Sequence, residues 1–215
     1  MINFRLAKNT DYVRLADVHM ACSVIQPGGF MFRLGLPFLR QYYRVMLQEK
    51  YSVILCAEED GKLLGFSSGS LDTAEHFQAL KRHRLRFLIS VLAVICRQPR
   101  IIKDILARMR SGSPDSEMGG YVTQTGPRGE FWCWLSDQRY GGGALVLNAK
   151  WLLVMKTLGA KEVRIEVDGR NPKVERMHRL VGARVVKNYV TPDGNPRIIM
   201  GYDLTKLNLE RFVAE

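Results

Sequence analysis

The sequence is poor in the residues that build metal sites and disulfide frameworks, and it lacks an apolar run that could span a membrane. Its four cysteines and four histidines lie far apart, without the short spacings of metal ligands. The longest apolar run, Phe87–Cys96 with only Ser90 polar, is shorter than the roughly 20 residues that a transmembrane helix needs. Met1–Ala7 is typical of a first strand rather than of a signal peptide. We therefore expect a cytoplasmic protein with free thiols and no metal site.

Acidic residues are also scarce relative to basic ones. The chain has 32 lysines and arginines against 21 aspartates and glutamates, a net charge of +11. Nine of the basic residues lie between positions 81 and 110, where Asp104 is the only acid and apolar residues recur at helical spacing. This pattern predicts two basic amphipathic helices broken near Pro99. Such helices suit an anionic membrane surface (peripheral, on its inner face) or an acidic partner protein; a solvated basic face above the core is the alternative. No nucleic-acid-binding signature accompanies the charge, so we expect no specific nucleic-acid partner.

Hydrophobic periodicity predicts alternating strands and helices in a chain whose size suits one domain. The predicted strands are Phe4–Leu6, Ser52–Ala57, Lys62–Ser68, Glu130–Leu135, Val163–Val167, Val185–Val190 and Arg197–Leu204. The predicted helices outside the basic segment are Asp11–Cys22, Pro37–Gln48, Leu145–Leu158 and one that follows Asn171 and stops at Gly182. The domain would comprise residues 1–204, with inserted basic helices at 77–110 and a mobile loop at 111–129. Residues 205–215 would form a C-terminal tail.

A glycine-rich turn joins the fourth predicted strand to the next helix, in the order Arg139-Tyr140-Gly141-Gly142-Gly143-Ala144. Successive glycines let the backbone approach a ligand closely, and the N-terminus of the following helix attracts a phosphate. The turn lacks the Lys-Ser/Thr pair of a Walker loop, and Val146 replaces the third glycine of a dinucleotide fingerprint. The turn therefore predicts a pyrophosphate site of another kind, in which Arg139 can contact the same phosphate.

The spacing Arg139-x-x-Gly142-x-Ala144 resembles the coenzyme A pyrophosphate loop of the GNAT superfamily of acyltransferases. Asn171 and Gly182 also match the superfamily pattern Asn-x-x-Ala-x-x-x-Tyr-x-x-x-Gly-Phe at the usual distance, whereas three positions depart from it: Val174, His178 and Ala183. The resemblance implies an α/β (α+β) fold with a central mixed, mostly antiparallel, twisted sheet of about seven strands flanked by helices. The segment Gly29–Leu47, together with the basic insertion, resembles a bacterial subgroup linked to surface-polysaccharide or amino-sugar biosynthesis.

The resemblance further implies N-acyl transfer, in which acetyl-CoA or another acyl-CoA gives its acyl group to the primary amine of a small molecule, such as an amino sugar, by direct attack in a ternary complex. The implied contacts of the coenzyme come from Cys133, Trp134, Leu135, Arg139, Tyr140, Gly141, Gly142, Gly143, Ala144, Asn171 and His178. Glu130 is the candidate general base, and by period-two alternation it would share a face with Trp132 and Trp134. His178 or Tyr140 would protonate the departing thiolate.

Three of these site assignments have a structural alternative. Glu130 could be an edge carboxylate paired with Arg128, Asn171 a helix cap before Pro172, and His178 a packed core residue. Two other functions also stay open. An acidic acyl carrier protein could be the donor and dock on the basic helices, or the chain could be a non-catalytic GNAT-like module that binds an anionic membrane or nucleic acid. The sequence predicts neither the acceptor nor the oligomeric state.

Overall fold

The computed structural model describes residues 1–24, 30–103, 105–106, 125–135, 142–191 and 194–212. Its strands are β1 (Asn3–Leu6), β2 (Ser52–Glu59), β3 (Lys62–Ser70), β4 (Arg128–Trp134), β5 (Glu162–Asp168), β6 (Arg184–Val190) and β7 (Pro196–Asp203). Its α-helices are α1 (Tyr12–Ala21), α2 (Phe30–Arg33), α3 (Gly35–Met46), α4 (Thr73–Arg82), α5 (Arg84–Arg97), α6 (Gly143–Thr157) and α7 (Pro172–Val181). The predicted elements outside the basic segment are present with ends shifted by a few residues.

All seven strands form one sheet in the order β1-β2-β3-β4-β5-β7-β6. Neighbouring strands are antiparallel except for β4 and β5, which are parallel. The predicted mixed, mostly antiparallel sheet of about seven strands is thereby confirmed. Within the described chain, the β4–β5 ladder is limited to Arg128 opposite Arg164. The two strands therefore part toward their C-terminal ends and leave an opening in the middle of the sheet.

Helices cover both faces of this sheet and bury a separate core on each. On one face, α6 and α7 pack over the central strands around Trp151, whose indole Nε1 donates to the Val53 carbonyl oxygen at 3.0 Å. On the other face, α1 and α3 bury Leu15, Leu39 and Phe66. Because the sheet separates the two cores, each side chain of a central strand belongs to one side or the other.

The basic insertion is built from more pieces than the sequence predicts. Its first helix, α4, begins at Thr73 because the Asp72 side chain accepts hydrogen bonds from the N–H groups of Ala74 and Glu75. A second break falls at His83, between α4 and α5. The predicted break near Pro99 is present, since α5 ends at Arg97.

The described part of the predicted C-terminal tail is packed rather than free. Leu209 is buried, Leu207 packs against the core, and the short 3₁₀ helix Glu210–Phe212 lies beside α6. The structural domain therefore extends at least to residue 212. None of the helices among the described residues combines the length and the apolar character that crossing a bilayer requires.

Candidate active site

The N-terminus of α6 lies against the end of β4, beside the opening between β4 and β5. Gly142 caps the helix in the left-handed region, with φ of +89°. A β-carbon on Gly143 would come within 2.7 Å of the Trp134 ring, so only glycine allows this approach. Glycine is therefore required at these two positions for different reasons. Gly142 permits the backbone turn, and Gly143 allows the helix to pack closely against the strand.

At this helix end, the first backbone donors have no hydrogen-bond partner among the described residues. The Gly142 carbonyl oxygen accepts from the N–H groups of Leu145 and Val146 at 2.9 and 3.1 Å. The N–H groups of Gly143 and Ala144 precede the first intrahelical hydrogen bonds and point out of the helix, where the dipole is positive. The geometry suits an anion. Three residues of the same motif, Arg139, Tyr140 and Gly141, lie outside the described residues, and their roles stay predictions.

The main-chain groups of β4 divide between its two edges. The N–H of Leu135 donates to the Leu64 carbonyl oxygen at 2.9 Å, so this donor belongs to the ladder with β3. Since peptide groups alternate along a strand, those of Cys133 also face β3, whereas those of Trp132 and Trp134 face the opening. Leu135 and Cys133 therefore cannot offer their N–H groups to a ligand in the opening, contrary to the prediction. The N–H groups of Trp132 and Trp134 face the opening, and the contact of Trp134 with the coenzyme stays a prediction.

Glu130 lies on a β-bulge. Phe131 pairs with Ser68 and Gly129 with Gly69, which leaves Glu130 without a partner in β3. The Ser68 hydroxyl bridges the irregularity: it donates to the Phe131 carbonyl oxygen at 3.3 Å and accepts from the Phe131 N–H at 3.2 Å.

The bulge decides which face carries the Glu130 carboxylate. Glu130 lines a narrow cleft with Tyr42 and His76, on the α1–α3 side of the sheet. Trp132 lies on the opposite side, with its ring 5.0 Å from the ring of His178. The predicted face shared by Glu130, Trp132 and Trp134 is wrong, because the extra residue interrupts the period-two alternation on which that prediction relied.

The carboxylate of Glu130 is held by buried partners. Its Oε1 lies 3.1 Å from the Arg128 Nε and 3.7 Å from the His76 Nε2. Burial lowers the pKa of His76, while the nearby Glu130 opposes that shift. Burial also acts to lower the pKa of Arg128, but Glu130 and Glu166 outweigh it, so the guanidinium stays charged. The ion pair with Arg128 that the sequence left as an alternative is present.

Two atoms of this ion pair have unused hydrogen-bonding capacity. Among the described residues, neither Glu130 Oε1 nor Arg128 Nη1 has a partner of good hydrogen-bond geometry, although both atoms are buried. Buried polar atoms without partners are uncommon in folded proteins. The arrangement leaves Glu130 Oε1 able to accept a further hydrogen bond.

His178 is buried in a hydrogen-bonded chain across the other core. Its Nδ1 lies 2.5 Å from the Tyr202 hydroxyl, which also accepts from the Asn148 side-chain amide at 3.0 Å. Because a hydroxyl has one proton and two acceptor lone pairs, the Tyr202 hydroxyl can accept from Asn148 with either tautomer of a neutral His178. Burial lowers the pKa of His178 to about 4, so the ring is neutral near pH 7.

The partners of His178 were missed from the sequence, although one signal was present. Asn148 is a short polar residue within the otherwise apolar stretch of α6, and it is 3% exposed. A buried amide in such a place needs a polar partner, which predicts a hydrogen bond but not its owner. Tyr202 gives no comparable signal in β7.

Asn171 has the capping role that its sequence context allowed. Its Oδ1 accepts from the Val174 N–H at 3.2 Å, and Pro172 occupies the first turn of α7. The helix ends at Gly182, which has φ of +108°. The predicted contact of Asn171 with coenzyme A stays a prediction.

No protein-family signature matches the sequence, and no curated protein matches it in sequence. Solved structures nevertheless match nearly the whole chain. A GNAT-family acetyltransferase from Bacillus cereus ATCC 10987 is 12% identical, with 94% of this chain and 97% of that one covered and a TM-score of 0.54. An aminoglycoside 6'-acetyltransferase type Ii is 10% identical, with 94% and 97% covered and a TM-score of 0.57. The structure of AAC(6')-Ib in complex with paromomycin and acetyl-CoA is 12% identical, with 94% and 93% covered and a TM-score of 0.57. The chain therefore has the fold of the GNAT acetyltransferases.

Proposed function

We propose that this protein is a GNAT-type N-acyltransferase, which moves an acetyl or other acyl group from coenzyme A to the primary amine of a small molecule. One observation carries the proposal: the glycine-capped N-terminus of α6 is seated on the end of β4, at the opening between two parted parallel strands. This juxtaposition puts phosphate-binding amides next to free strand edges. A thioester carrier with a pyrophosphate needs both.

The donor would lie along the β4 edge of the opening. Its pyrophosphate would take the N–H groups of Gly143 and Ala144, with Arg139 as a charged partner. Its extended arm would hydrogen-bond the peptide groups of Trp132 and Trp134. Backbone donors fixed in this way also polarise a thioester carbonyl, because they stabilise the negative charge that develops on its oxygen.

The acceptor amine would approach from the α1–α3 side, where the bulge directs Glu130. In the reaction, the amine nitrogen forms a bond to the thioester carbon, the C–S bond breaks, and the amine loses one proton. Glu130 would receive that proton, directly or through a water molecule. Arg128 and His76 would hold the carboxylate in place, at the distances given above.

The departing thiolate needs a proton or a hydrogen-bond donor. His178 is neutral near pH 7, so in the tautomer that carries its ring proton on Nε2 it would donate a hydrogen bond to the sulfur rather than act as a strong acid. Tyr140 is the second candidate that the sequence gives. We propose that Tyr140 supplies the proton and that His178 stabilises the sulfur.

The acceptor class is proposed on similarity of fold and sequence. Two of the compared structures are aminoglycoside acetyltransferases by name, and one of them contains paromomycin. The segment Gly29–Leu47 and the basic insertion resemble a subgroup linked to amino-sugar biosynthesis. Amino sugars are therefore the first acceptors to screen.

Calorimetry with acetyl-CoA tests the donor site. We expect micromolar binding by the native chain and its loss in Gly142→Asp, since the substitution puts a negative charge and a strained φ of +89° at the phosphate site. Gly159→Asp is the matched control, because Gly159 ends the same helix with φ of +96° and also has open space for a side chain. Arg139→Glu should weaken binding as well.

Equal loss in both glycine variants would mean that helix strain, not the phosphate site, explains the effect. No binding of acetyl-CoA or longer acyl-CoAs by the folded native chain would refute the proposal. Transfer from an acylated carrier protein without any acyl-CoA binding would identify the carrier as the donor.

A further inference from the structure

Helix α5 presents an apolar stripe to solvent. Four of its side chains are largely exposed: Leu85 at 66%, Leu88 at 51%, Ile89 at 60% and Leu92 at 49%. With about 3.6 residues per turn, these positions fall within an arc of about 100° on the helix. The opposite side of α5 is the packed one, where Val91 is buried with Leu34 and Ile101. The exposed stripe is therefore additional to the face that attaches α5 to the domain.

Basic residues border this stripe. Arg84 lies to one side of it, and Arg86 and Arg97 lie to the other, by the same helical geometry. All three are exposed, and no ion pair engages them within the described part of the chain. Beyond the break near Pro99 the pattern continues, with exposed Arg100, Ile102, Lys103 and Leu106. Helix α5 itself contains no acidic residue.

We propose that this surface binds an anionic lipid bilayer, with α5 lying in the plane of the interface. We call it the α5 face and define it by Leu85, Leu88, Ile89 and Leu92 with Arg84, Arg86 and Arg97. A helix with exposed leucines between two rows of arginine matches the interface chemically, because the leucines enter the acyl region and the arginines reach the headgroups. Each basic residue near an anionic leaflet adds to the attraction.

The charges argue against the two other occupants. A second copy of the chain would place α5 against α5 and oppose arginines of like sign, at a cost in repulsion. An acidic carrier protein would satisfy the arginines but would not require four exposed leucine and isoleucine side chains on the same helix. Of the three occupants, only an anionic bilayer would contact both the exposed apolar side chains and the arginines of α5. The inference does not depend on the proposed acyl transfer.

Co-sedimentation of the whole chain with vesicles tests the α5 face. The probes are vesicles of phosphatidylcholine alone and of phosphatidylcholine mixed with phosphatidylglycerol. We expect binding to the mixed vesicles that weakens as salt rises, with little binding to phosphatidylcholine alone. Leu88→Glu/Leu92→Glu and Arg86→Glu/Arg97→Glu should each weaken the binding at least about tenfold.

Matched control variants distinguish binding through the α5 face from nonspecific hydrophobic adsorption and from an effect of net charge. Leu158 and Leu180 are each 53% exposed away from α5, and Leu158→Glu/Leu180→Glu should bind vesicles as the native chain does. Lys62→Glu/Lys161→Glu changes net charge equally at exposed sites elsewhere. Thermal unfolding of each variant checks its folding.

Several results would overturn the inference. These are no binding of the native chain to the mixed vesicles at low salt, or full binding by both α5 variants. A native dimer that the leucine variant dissociates, without vesicle binding, would identify the α5 face as a subunit interface. Saturable binding to an acidic carrier protein without vesicle binding would assign the arginines to that partner.

Discussion

At the scale of single residues, the β-bulge at Glu130 determines on which face of the sheet the carboxylate of the proposed base lies. Without the bulge, strict alternation would place this carboxylate among Trp132 and Trp134 on the α6–α7 side of the sheet. With it, the carboxylate lies beside Arg128 and His76 on the other side. A one-residue insertion thus separates the candidate base from the tryptophans while keeping all of them on one short strand.

Replacement of the candidate base should lower turnover without affecting the donor site. We expect Glu130→Gln to reduce kcat about 10²- to 10⁴-fold, as loss of a general base does, with acetyl-CoA affinity unchanged. The measurements are steady-state kinetics with an amine acceptor and calorimetry with acetyl-CoA.

Glu166→Gln controls for the effect on Arg128, because Glu166 Oε2 lies 3.9 Å from the Arg128 Nη2. A comparable loss in both variants would assign Glu130 a structural role. Retention of native kcat in Glu130→Gln would remove it as the base.

At the scale of elements, local signals in the sequence were more reliable than those that depend on neighbours. The β2–β3 hairpin follows from Asp60 and Gly61, which take φ of 48° and 76° as a tight turn requires. The cap at Asn171 and the stop at Gly182 are equally local. By contrast, the bulge depends on how β4 pairs with β3, and the break at His83 depends on how α4 and α5 pack. No short stretch of sequence records those contacts.

The same distinction explains the candidate site. The glycines at the start of α6 could be assigned from their order, because backbone freedom and a helix end are local properties. Arg128 could be named as a possible partner of Glu130, because it lies two residues away on the same strand. His76 and Tyr202 could not be named as partners of Glu130 and His178, since these residues come together only when separate elements fold. The sequence therefore predicts more of the proposed donor site than of the proposed acceptor side.

The hydrogen bond between β7 and α7 allows a test of the role of His178, because an equivalent histidine–tyrosine hydrogen bond on the other face of the sheet serves as a control. Tyr202 bonds His178 on one face of the sheet, and Tyr43 bonds His19 at 2.6 Å on the other. Each tyrosine-to-phenylalanine change leaves a buried ring nitrogen without its partner, which should cost about 1–3 kcal/mol of unfolding free energy.

We expect Tyr202→Phe and Tyr43→Phe to lose similar stability in urea denaturation, with only Tyr202→Phe slowing acyl transfer. Equal kinetic effects in the two variants, or none in Tyr202→Phe, would restrict His178 to a packing role.

At the scale of the whole molecule, buried histidines link stability to pH. Burial lowers the pKa of His19 to about 3 and that of His178 to about 4, from an ordinary 6.5. The unfolded chain therefore binds more protons below that ordinary value, so the stability contribution is full above about pH 6.5 and declines as the pH falls toward 4. The lowered pKa of each histidine should reduce the unfolding free energy of the protein by about 1 kcal/mol when the pH falls from about 7.5 to 5.5.

Urea denaturation at the two pH values measures this loss, and NMR titration of the imidazole protons identifies its source. We expect both ring signals to keep their neutral positions at about pH 5.5. An unfolding free energy that stays constant or increases as the pH falls over this range would contradict the lowered pKa values. Titration of His19 and His178 near the ordinary histidine pKa would contradict them as well.

The side of the sheet on which α5 packs has a consequence for how the two proposed substrates would reach the protein. Helix α5 lies over α3, on the side that carries Glu130, whereas α6 lies on the opposite side. On a bilayer, this arrangement would turn the cleft at Glu130, the proposed acceptor site, toward the lipid and leave the proposed donor entrance in water. A polar coenzyme could then exchange freely with the solution, and an amine borne on a lipid anchor could react without leaving the leaflet.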